Sequence, residues 1–519
     1  MTRELSAQHL HNWNELQTLA EKMVPVLGSL YRNSSVVIRV FGLKIANASI
    51  ISIINAHLHG ATIVGKALDM SKSYEMLLLL EEMGLRPCRL DLGKLCHEFL
   101  NLDQETDMRT FLDERLSKLL GEQHSAPQES HDVVLYGFGR IGRYLARLLI
   151  DRTGTGAKLR LRGVVIRAKG DVQQDLEKRA ELLRRDSVHG EFDGSIKVDI
   201  ENQALIANGN YIQFIYANSP AEVDYTKYGI QDALVVDNTG IWKDRDGLGQ
   251  HVSCPGASRA LLTAPAKGDI KNIVYGINDD LIEVNDEIVC AASCTTNAIV
   301  PVLKVLKDTF GIKNGHVETI HSYTNDQNLI DNYHKSERRG RSAPLNMVIT
   351  STGAAKAVAK VLPDLSGVLT GNAIRVPTPN VSMAVMNLNL DKEVTADELN
   401  DVFRQISYHS PLQEQIGFTY STEVVSSDLV GSTHAGVVDG GATIADGNRV
   451  VLYVWYDNEA GYSQPSYSGH AKVSWLVIRF AVSLVEICLF VARAFSLFHL
   501  ITAAVERLFV NQYCFHENS

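Results

Sequence analysis

Apolar positions along the chain change their period from one stretch to the next. Through the first 120 residues they recur at helical steps. Leu16, Leu19, Met23 and Leu27 share a helical face, Leu77, Leu80, Met83 and Leu85 do so less regularly, and Arg109–Leu120 (RTFLDERLSKLL) is a further amphipathic run. These stripes predict the packed core of a small helical domain. His57 and His59 are two positions apart, so they share no helical face and form no ligand pair. Residues 121–130 (GEQHSAPQES) are polar, contain Gly and Pro, and have no apolar period, which predicts a linker. Beyond it, short apolar runs alternate with helical ones. Asp132–Tyr136 (DVVLY), Leu161–Ile166 and Ala233–Asp237 (ALVVD) read as buried strands, with Arg143–Ile150 as a helix. That alternation predicts a parallel sheet with crossover helices. From Ile288 onward the pattern is mixed, with strands over Val381–Leu390 and Val450–Trp455 and a helix over Ala354–Val361. No repeat of solenoid period is present.

Composition narrows the classes. A length of 519 residues suggests about three domains. With 45% hydrophobic and 21% charged residues the chain is ordinary globular material. A net charge of −10 and no long basic run argue against nucleic-acid binding. Seven cysteines without a CxxC pair point to a reducing compartment. The first residues, MTRELSAQHLHNWNELQ, lack an apolar core, so export is not expected and a cytoplasmic location is. No metal-ligand set is expected.

Gly137-Phe138-Gly139-Arg140-Ile141-Gly142 follows the strand at 132–136 and opens a helix. Glycines there allow a tight turn and close backbone approach to a pyrophosphate, which meets free N–H groups at the helix start. This predicts a dinucleotide site. A carboxylate at the end of the second strand ordinarily holds the ribose hydroxyls. Here that strand ends in Arg167-Ala168, with Asp171 three positions past Ala168. Arg167 suits a 2′-phosphate or is a solvated surface residue, so NAD and NADP both stay open.

Cys294 stands at the start of an apolar helix, Ala298–Leu306, within Ala292-Ser-Cys-Thr-Thr-Asn297. A helix N-terminus favours thiolate. His321 lies 27 residues on and is a candidate ion-pair partner and general base. From spacing alone, both also suit buried structural roles.

Further motifs give these residues a context. GFGRIGR stands at 137–143, ASCTTN at 292–297, TIHSYTNDQ at 319–327, STGAAKA at 351–357, RVPT at 375–378 and WYDNEAGYS at 455–463. Over roughly residues 131–463, the chain resembles the glyceraldehyde-3-phosphate dehydrogenases, and its extension and linker resemble those of a longer bacterial subgroup. The resemblance implies an α/β fold: a Rossmann NAD(P)-binding domain at 132–293 and an α+β catalytic domain at 294–463. A helical extension at 1–120 and a linker at 121–131 precede them.

The resemblance also implies roles. Cys294 would attack the aldehyde and His321 would move the protons. The thioester would be cleaved by inorganic phosphate to an acyl phosphate. Thr324 and Arg375 would hold the substrate's phosphate, and Ser293, Thr295, Thr352 and Gly353 the attacking one. The 137–142 loop, Arg167, Thr239, Gly240, Asn458 and Tyr462 would meet the dinucleotide. The basic segment 334–341 matches the family's intersubunit loop, which implies a homotetramer. Glyceraldehyde 3-phosphate is the expected substrate. The alternatives are erythrose 4-phosphate on the same scaffold, or nucleotide binding without turnover.

Two departures stand out. Arg167-Ala168 replaces a common Asn-Asp, and Ala460 replaces a common Phe. After Ser463 the family's closing helix is not recognisable. Residues 464–519 form an atypical segment, strongly apolar over 475–510 although the mean hydropathy of the whole chain is −0.04. Ile487–Val505 approaches the length of a membrane span but carries Arg493. Arg479, Glu486, Arg493 and Arg507 fall on one helical stripe. The favoured reading is a replaced ending without a membrane role. A packing helix and membrane contact are the alternatives.

Overall fold

The computed structural model describes residues 2–102, 106–120, 130–153, 159–463 and 514–515. The expectations for 121–129 and 475–510 fall outside them. The chain divides into two compact units, one centred on residues 1–130 and the other on 131–463.

Among its described residues the first unit has five helices of eight residues or more, α1 (Thr2–Ser34), α2 (Ile50–Leu58), α3 (Met70–Glu82), α4 (Leu92–Leu100) and α5 (Met108–Arg115). The predicted stripes supply its core. Met23 and Leu27 of α1 and Leu77 and Leu80 of α3 are buried together. Each such side chain contributes roughly 1.5–3 kcal/mol by leaving water. The helical expectation holds in bulk, but a small sheet runs through the centre. Strand β1 (Val36–Val40) pairs antiparallel with β2 (Leu43–Lys44) and parallel with β3 (Cys88–Asp91). The two-residue strand Cys514–Phe515 lies antiparallel along the far edge of β3. VVIRV and CRLD are too short to show a period distinct from the helical runs around them. Asp91 locks this arrangement, since its carboxylate accepts from the backbone N–H groups of Phe41 (2.9 Å), Gly42 (2.8 Å) and Lys94 (3.0 Å). His57 is buried as a structural residue. Its Nδ1–H donates to the Ile53 carbonyl at 2.7 Å, which leaves Nε2 to accept from the Ser73 hydroxyl at 2.8 Å and tie α2 to α3.

The second unit contains two eight-stranded sheets. The first comprises β4 (His131–Tyr136), β5 (Leu159–Ile166), β6 (Ile196–Asp199), β7 (Ala204–Ala207), β8 (Asn210–Tyr216), β9 (Ala233–Asp237), β10 (Ala257–Leu262) and β11 (Ile288–Cys290). Their order is β11-β10-β9-β4-β5-β8-β7-β6, parallel except where β7 meets its two neighbours. Helices α6 (Arg140–Asp151), α7 (Val172–Arg184) and α8 (Arg245–Val252) cross between its strands. The strand order reverses beside β4, so a crevice opens at the carboxyl ends of β4, β5 and β9. Ligands bind at such switch points.

The second sheet is mixed. It comprises β12 (Ile312–Ser322), β13 (Val348–Thr350), β14 (Leu369–Val376), β15 (Ser382–Leu390), β16 (Ile416–Thr419), β17 (Gly436–Asp439), β18 (Ile444–Asp446) and β19 (Arg449–Tyr456). Their order is β13-β14-β12-β15-β19-β17-β16, with β18 on β19. Helix α9 (Cys294–Phe310) covers one face, where Val300, Leu303 and Leu306 share a core with Val317, Met386 and Leu452. That packing fixes where the first residue of α9, Cys294, must lie. Helices α10 (Ala354–Val361) and α11 (Ala396–His409) complete the layer.

Candidate active site

The glycine turn is built as its sequence predicts. Gly137 leaves β4 at φ +96°, a conformation that favours glycine, and a Cβ there would stand 2.9 Å from Thr239 Cγ2. A Cβ on Gly142 would collide with the Gly137 carbonyl oxygen. A Cβ on Gly139 would meet nothing within 4 Å. Gly139 is the N-cap of α6, and no side chain caps that helix start. Open space therefore lies before free helix N–H groups, which fits a dinucleotide pyrophosphate. Within the motif only backbone faces this space for three residues. Phe138 is buried edge-on against Phe214, Ile141 packs on the core, and the Arg140 guanidinium is bound to both carboxylate oxygens of Glu459.

Thr239 and Gly240 follow β9 at the same edge. The buried Asp237 carboxylate accepts from the Thr239 N–H and hydroxyl, both at 2.7 Å, and His251 Nε2 faces its other oxygen at 3.0 Å. Arg167 leaves the end of β5 exposed to solvent, and its Nε donates to the Asn218 carbonyl at 3.1 Å. Asp171 takes no part at the strand end, because its carboxylate accepts from Gln174 N at 3.0 Å as the N-cap of α7.

Folding brings Cys294 and His321 together. Ser293 caps α9 by accepting from Thr296 N, and the Asn297 amide donates to the carbonyls of Ala291 (2.8 Å) and Ser293 (2.9 Å). Ala292 is held at φ +56° in this turn. Cys294 Sγ then stands 3.6 Å from His321 Nε2, at the carboxyl end of β12. His321 Nδ1 lies 2.7 Å from the Ser322 carbonyl. Arg375 Nη1, which can only donate, lies 3.0 Å from the same nitrogen, so the carbonyl and the guanidinium favour opposite tautomers; with the proton on Nδ1, toward the closer carbonyl, Nε2 presents a lone pair to the thiol. Burial, then the neighbouring Arg375 charge, pushes the imidazole down to about 4. Burial also pushes the Cys294 thiol up, against the opposing pull of Arg375 and of Thr295. A helix N-terminus favours thiolate, whereas burial of the pair favours the thiol and the neutral imidazole.

Arg375 is the register partner of His321 across β12 and β14. Its Nη1 donates to the Ser322 carbonyl at 2.9 Å and reaches Thr324 Oγ1 at 3.5 Å, so Arg375 and Thr324 form one polar corner beside the thiol. The other oxyanion candidates are partly engaged. The Thr295 hydroxyl shares a hydrogen bond with Tyr456 at 3.0 Å, and Thr352 Oγ1 accepts from Ala354 N at 3.2 Å. Gly353, the N-cap of α10, has open space around its Cβ position. Asn458 and Tyr462 are both buried, and Tyr462 donates to the Ala292 carbonyl at 3.2 Å.

Several residues that shape this site carry no recognisable signal in the sequence. Ser382 accepts from Ser322 N and donates to Asn458 Oδ1. Asp186 and His189 stand with Arg140, Asp457 and Glu459 in a partly buried cluster of ionisable groups. Only tertiary contact selects them from the many Ser, His and Asp residues of the chain. The motif WYDNE draws notice to Glu459, but its partner lies 319 positions away.

A parallel sheet with a glycine turn at its carboxyl edge, joined to a mixed-sheet domain, defines a two-domain NAD-binding dehydrogenase. Residues 131–245 match the glyceraldehyde 3-phosphate dehydrogenase NAD binding domain, and residues 293–458 match the C-terminal domain of the same family. The chain belongs to the glyceraldehyde-3-phosphate dehydrogenase family. It is 58% identical over 443 residues to a glyceraldehyde-3-phosphate dehydrogenase-like protein of Pseudomonas aeruginosa, covering 85% of this chain and 96% of the relative. Residues 131–519 are fewer than 443, so that likeness includes part of the extension. It is 41% identical to the glyceraldehyde-3-phosphate dehydrogenase of Priestia megaterium over 63% of this chain and 93% of the relative. The likeness to glyceraldehyde-3-phosphate dehydrogenase 1 of Bacillus subtilis is also 41%, over 64% and 94%. Among the described residues no helix is long and apolar enough to cross a membrane.

Proposed function

We propose that the chain oxidises glyceraldehyde 3-phosphate, with a nicotinamide dinucleotide and inorganic phosphate, to 1,3-bisphosphoglycerate. The observation that carries this reading is the 3.6 Å approach of Cys294 Sγ to His321 Nε2. His321 takes the thiol proton as sulfur attacks the aldehyde carbon, and returns it to the new oxyanion to give a hemithioacetal. The N–H groups of Cys294 and Thr295 at the start of α9 support that oxyanion. The bound nicotinamide supplies the hydride acceptor. His321 removes the hydroxyl proton as the adduct becomes a thioester. Inorganic phosphate then attacks the thioester carbon, the C–S bond breaks, and Cys294 is restored. Splitting the oxidation this way retains the thioester's free energy for the acyl phosphate.

Arg375 and Thr324 hold the substrate's phosphate, since the planar guanidinium fork suits that anion. Thr295, Thr352 and Gly353, with Ser293, receive the attacking phosphate. The open N-terminus of α10 favours an anion at Gly353. Asn458 orients the nicotinamide carboxamide. The protein works as a cytoplasmic homotetramer with segment 334–341 between subunits. The decisive experiment is Cys294→Ala, assayed for phosphate-dependent oxidation and for dinucleotide binding. Turnover should vanish while binding persists. Wild-type turnover in this variant would sink the mechanism.

A further inference from the structure

We infer that the dinucleotide site is built for a 2′-phosphorylated cofactor, NADP(H), with Arg167 as the residue that selects it. This rests on the dinucleotide reading above and adds the choice within it.

The argument begins with position. Arg167 is the first residue past β5, the strand that pairs with β4. The glycine turn is fastened to the same strand, since Gly137 N donates to the Val165 carbonyl at 2.9 Å. The side chain at the end of β5 therefore flanks the cradle on the side where an adenosine ribose is held in a doubly wound sheet. A free 2′-hydroxyl there needs a carboxylate acceptor. The strand end instead reads Arg167-Ala168-Lys169.

The neighbouring carboxylates do not substitute for it. Asp171 is committed to capping α7. Glu222 accepts from Asn218 N at 2.9 Å and from the Ser219 hydroxyl at 3.1 Å. Neither lies within ion-pair distance of Arg167 among the described residues, although, after the Asn218 N–H bond, the Arg167 charge helps to lower the Glu222 pKa.

Arg167 itself is half prepared for a ligand. Its Nε is anchored on the Asn218 carbonyl, which fixes the plane of the guanidinium. Its two Nη groups make no hydrogen bond among the described residues, and the side chain is exposed. A planar fork held by one edge, with four N–H bonds pointing outward, matches the oxygens of a phosphate monoester. The anchoring also reduces the rotamer entropy lost on binding.

The test is equilibrium binding of NADP+ and NAD+ to the full chain, followed by calorimetry, so that it does not depend on turnover. NADP+ should bind tighter by at least about tenfold, the worth of one charge-assisted hydrogen bond. Arg167→Ala should remove that preference by weakening NADP+ alone, and Ala168→Asp should invert it by supplying the missing acceptor. Arg167 is exposed, so its loss leaves the core intact. Equal or tighter binding of NAD+ by the unaltered chain would overturn the inference while leaving the proposed reaction standing. So would an equal loss of both cofactors in Arg167→Ala. Binding of neither dinucleotide would overturn the dinucleotide reading and this inference with it.

Discussion

The Ser382 hydroxyl donates to the Asn458 side-chain oxygen at 3.0 Å. The same hydroxyl accepts from Ser322 N at 3.0 Å. One small side chain on β15 thus ties the residue after His321 to the residue proposed to orient the nicotinamide. Ser382→Ala leaves a buried N–H and a buried amide oxygen without this partner. We expect a loss of about 1–3 kcal/mol in stability, seen as a lower Tm, and weaker dinucleotide binding. Unchanged binding would separate Asn458 from the cofactor.

The glycines of the cradle should respond differently to one added methyl group. Gly139→Ala fills open space and should cost less than about 1 kcal/mol of stability while weakening dinucleotide binding. Gly142→Ala drives a Cβ into the Gly137 carbonyl, so the turn itself must shift and both stability and binding should fall. Calorimetric unfolding and dinucleotide titration of the two variants test the contrast.

Arg140 and Glu459 join the glycine turn to the end of β19. A double-mutant cycle with Arg140→Met and Glu459→Gln should give a coupling energy of about 2 kcal/mol, since the pair is bidentate and its carboxylate is largely buried. Additive single effects in chemical denaturation would show that the pair is only a surface contact.

Thiol chemistry should follow the resting protonation state. With the imidazole held down to about 4, His321 is already neutral at pH 6.5 and above. The Cys294 thiol, raised by burial, loses its proton only at alkaline pH. Alkylation of Cys294 in the free protein should accelerate with pH and reach no plateau below about pH 8.5. A plateau already present at pH 6 would reveal a stable thiolate–imidazolium pair instead.

The extension should carry its own acid sensitivity. Burial lowers the His57 pKa in the fold, so the unfolded chain binds the proton first as pH falls through about 6.5. Stability is therefore full above that pH and declines below it. Protection factors of the amides across residues 53–77, which divide out the intrinsic slowing of exchange in acid, should fall between pH 7.5 and 5.5, and His57→Leu should weaken that dependence, leaving the smaller part due to His59 and His97, whose pKa values burial also lowers.

Local pattern and chemistry were enough for much of this protein. The run DVVLY, the glycines at 137, 139 and 142, and ALVVD at 233–237 announced a buried parallel sheet with a phosphate turn, because strand burial and glycine geometry are short-range constraints. The motif around Cys294 placed a thiol at a helix start. The small sheet of the extension was not legible, since VVIRV and CRLD are brief and meet only in three dimensions. Tertiary structure alone decided that His321 faces Cys294 through Nε2, that Arg375 stands beside it, and that Ser382 couples Ser322 to Asn458. It also set burial against the helix N-terminus at Cys294. Those relationships depend on distances between strands far apart in sequence and on how much water the fold excludes, and neither quantity is written in any local stretch of residues.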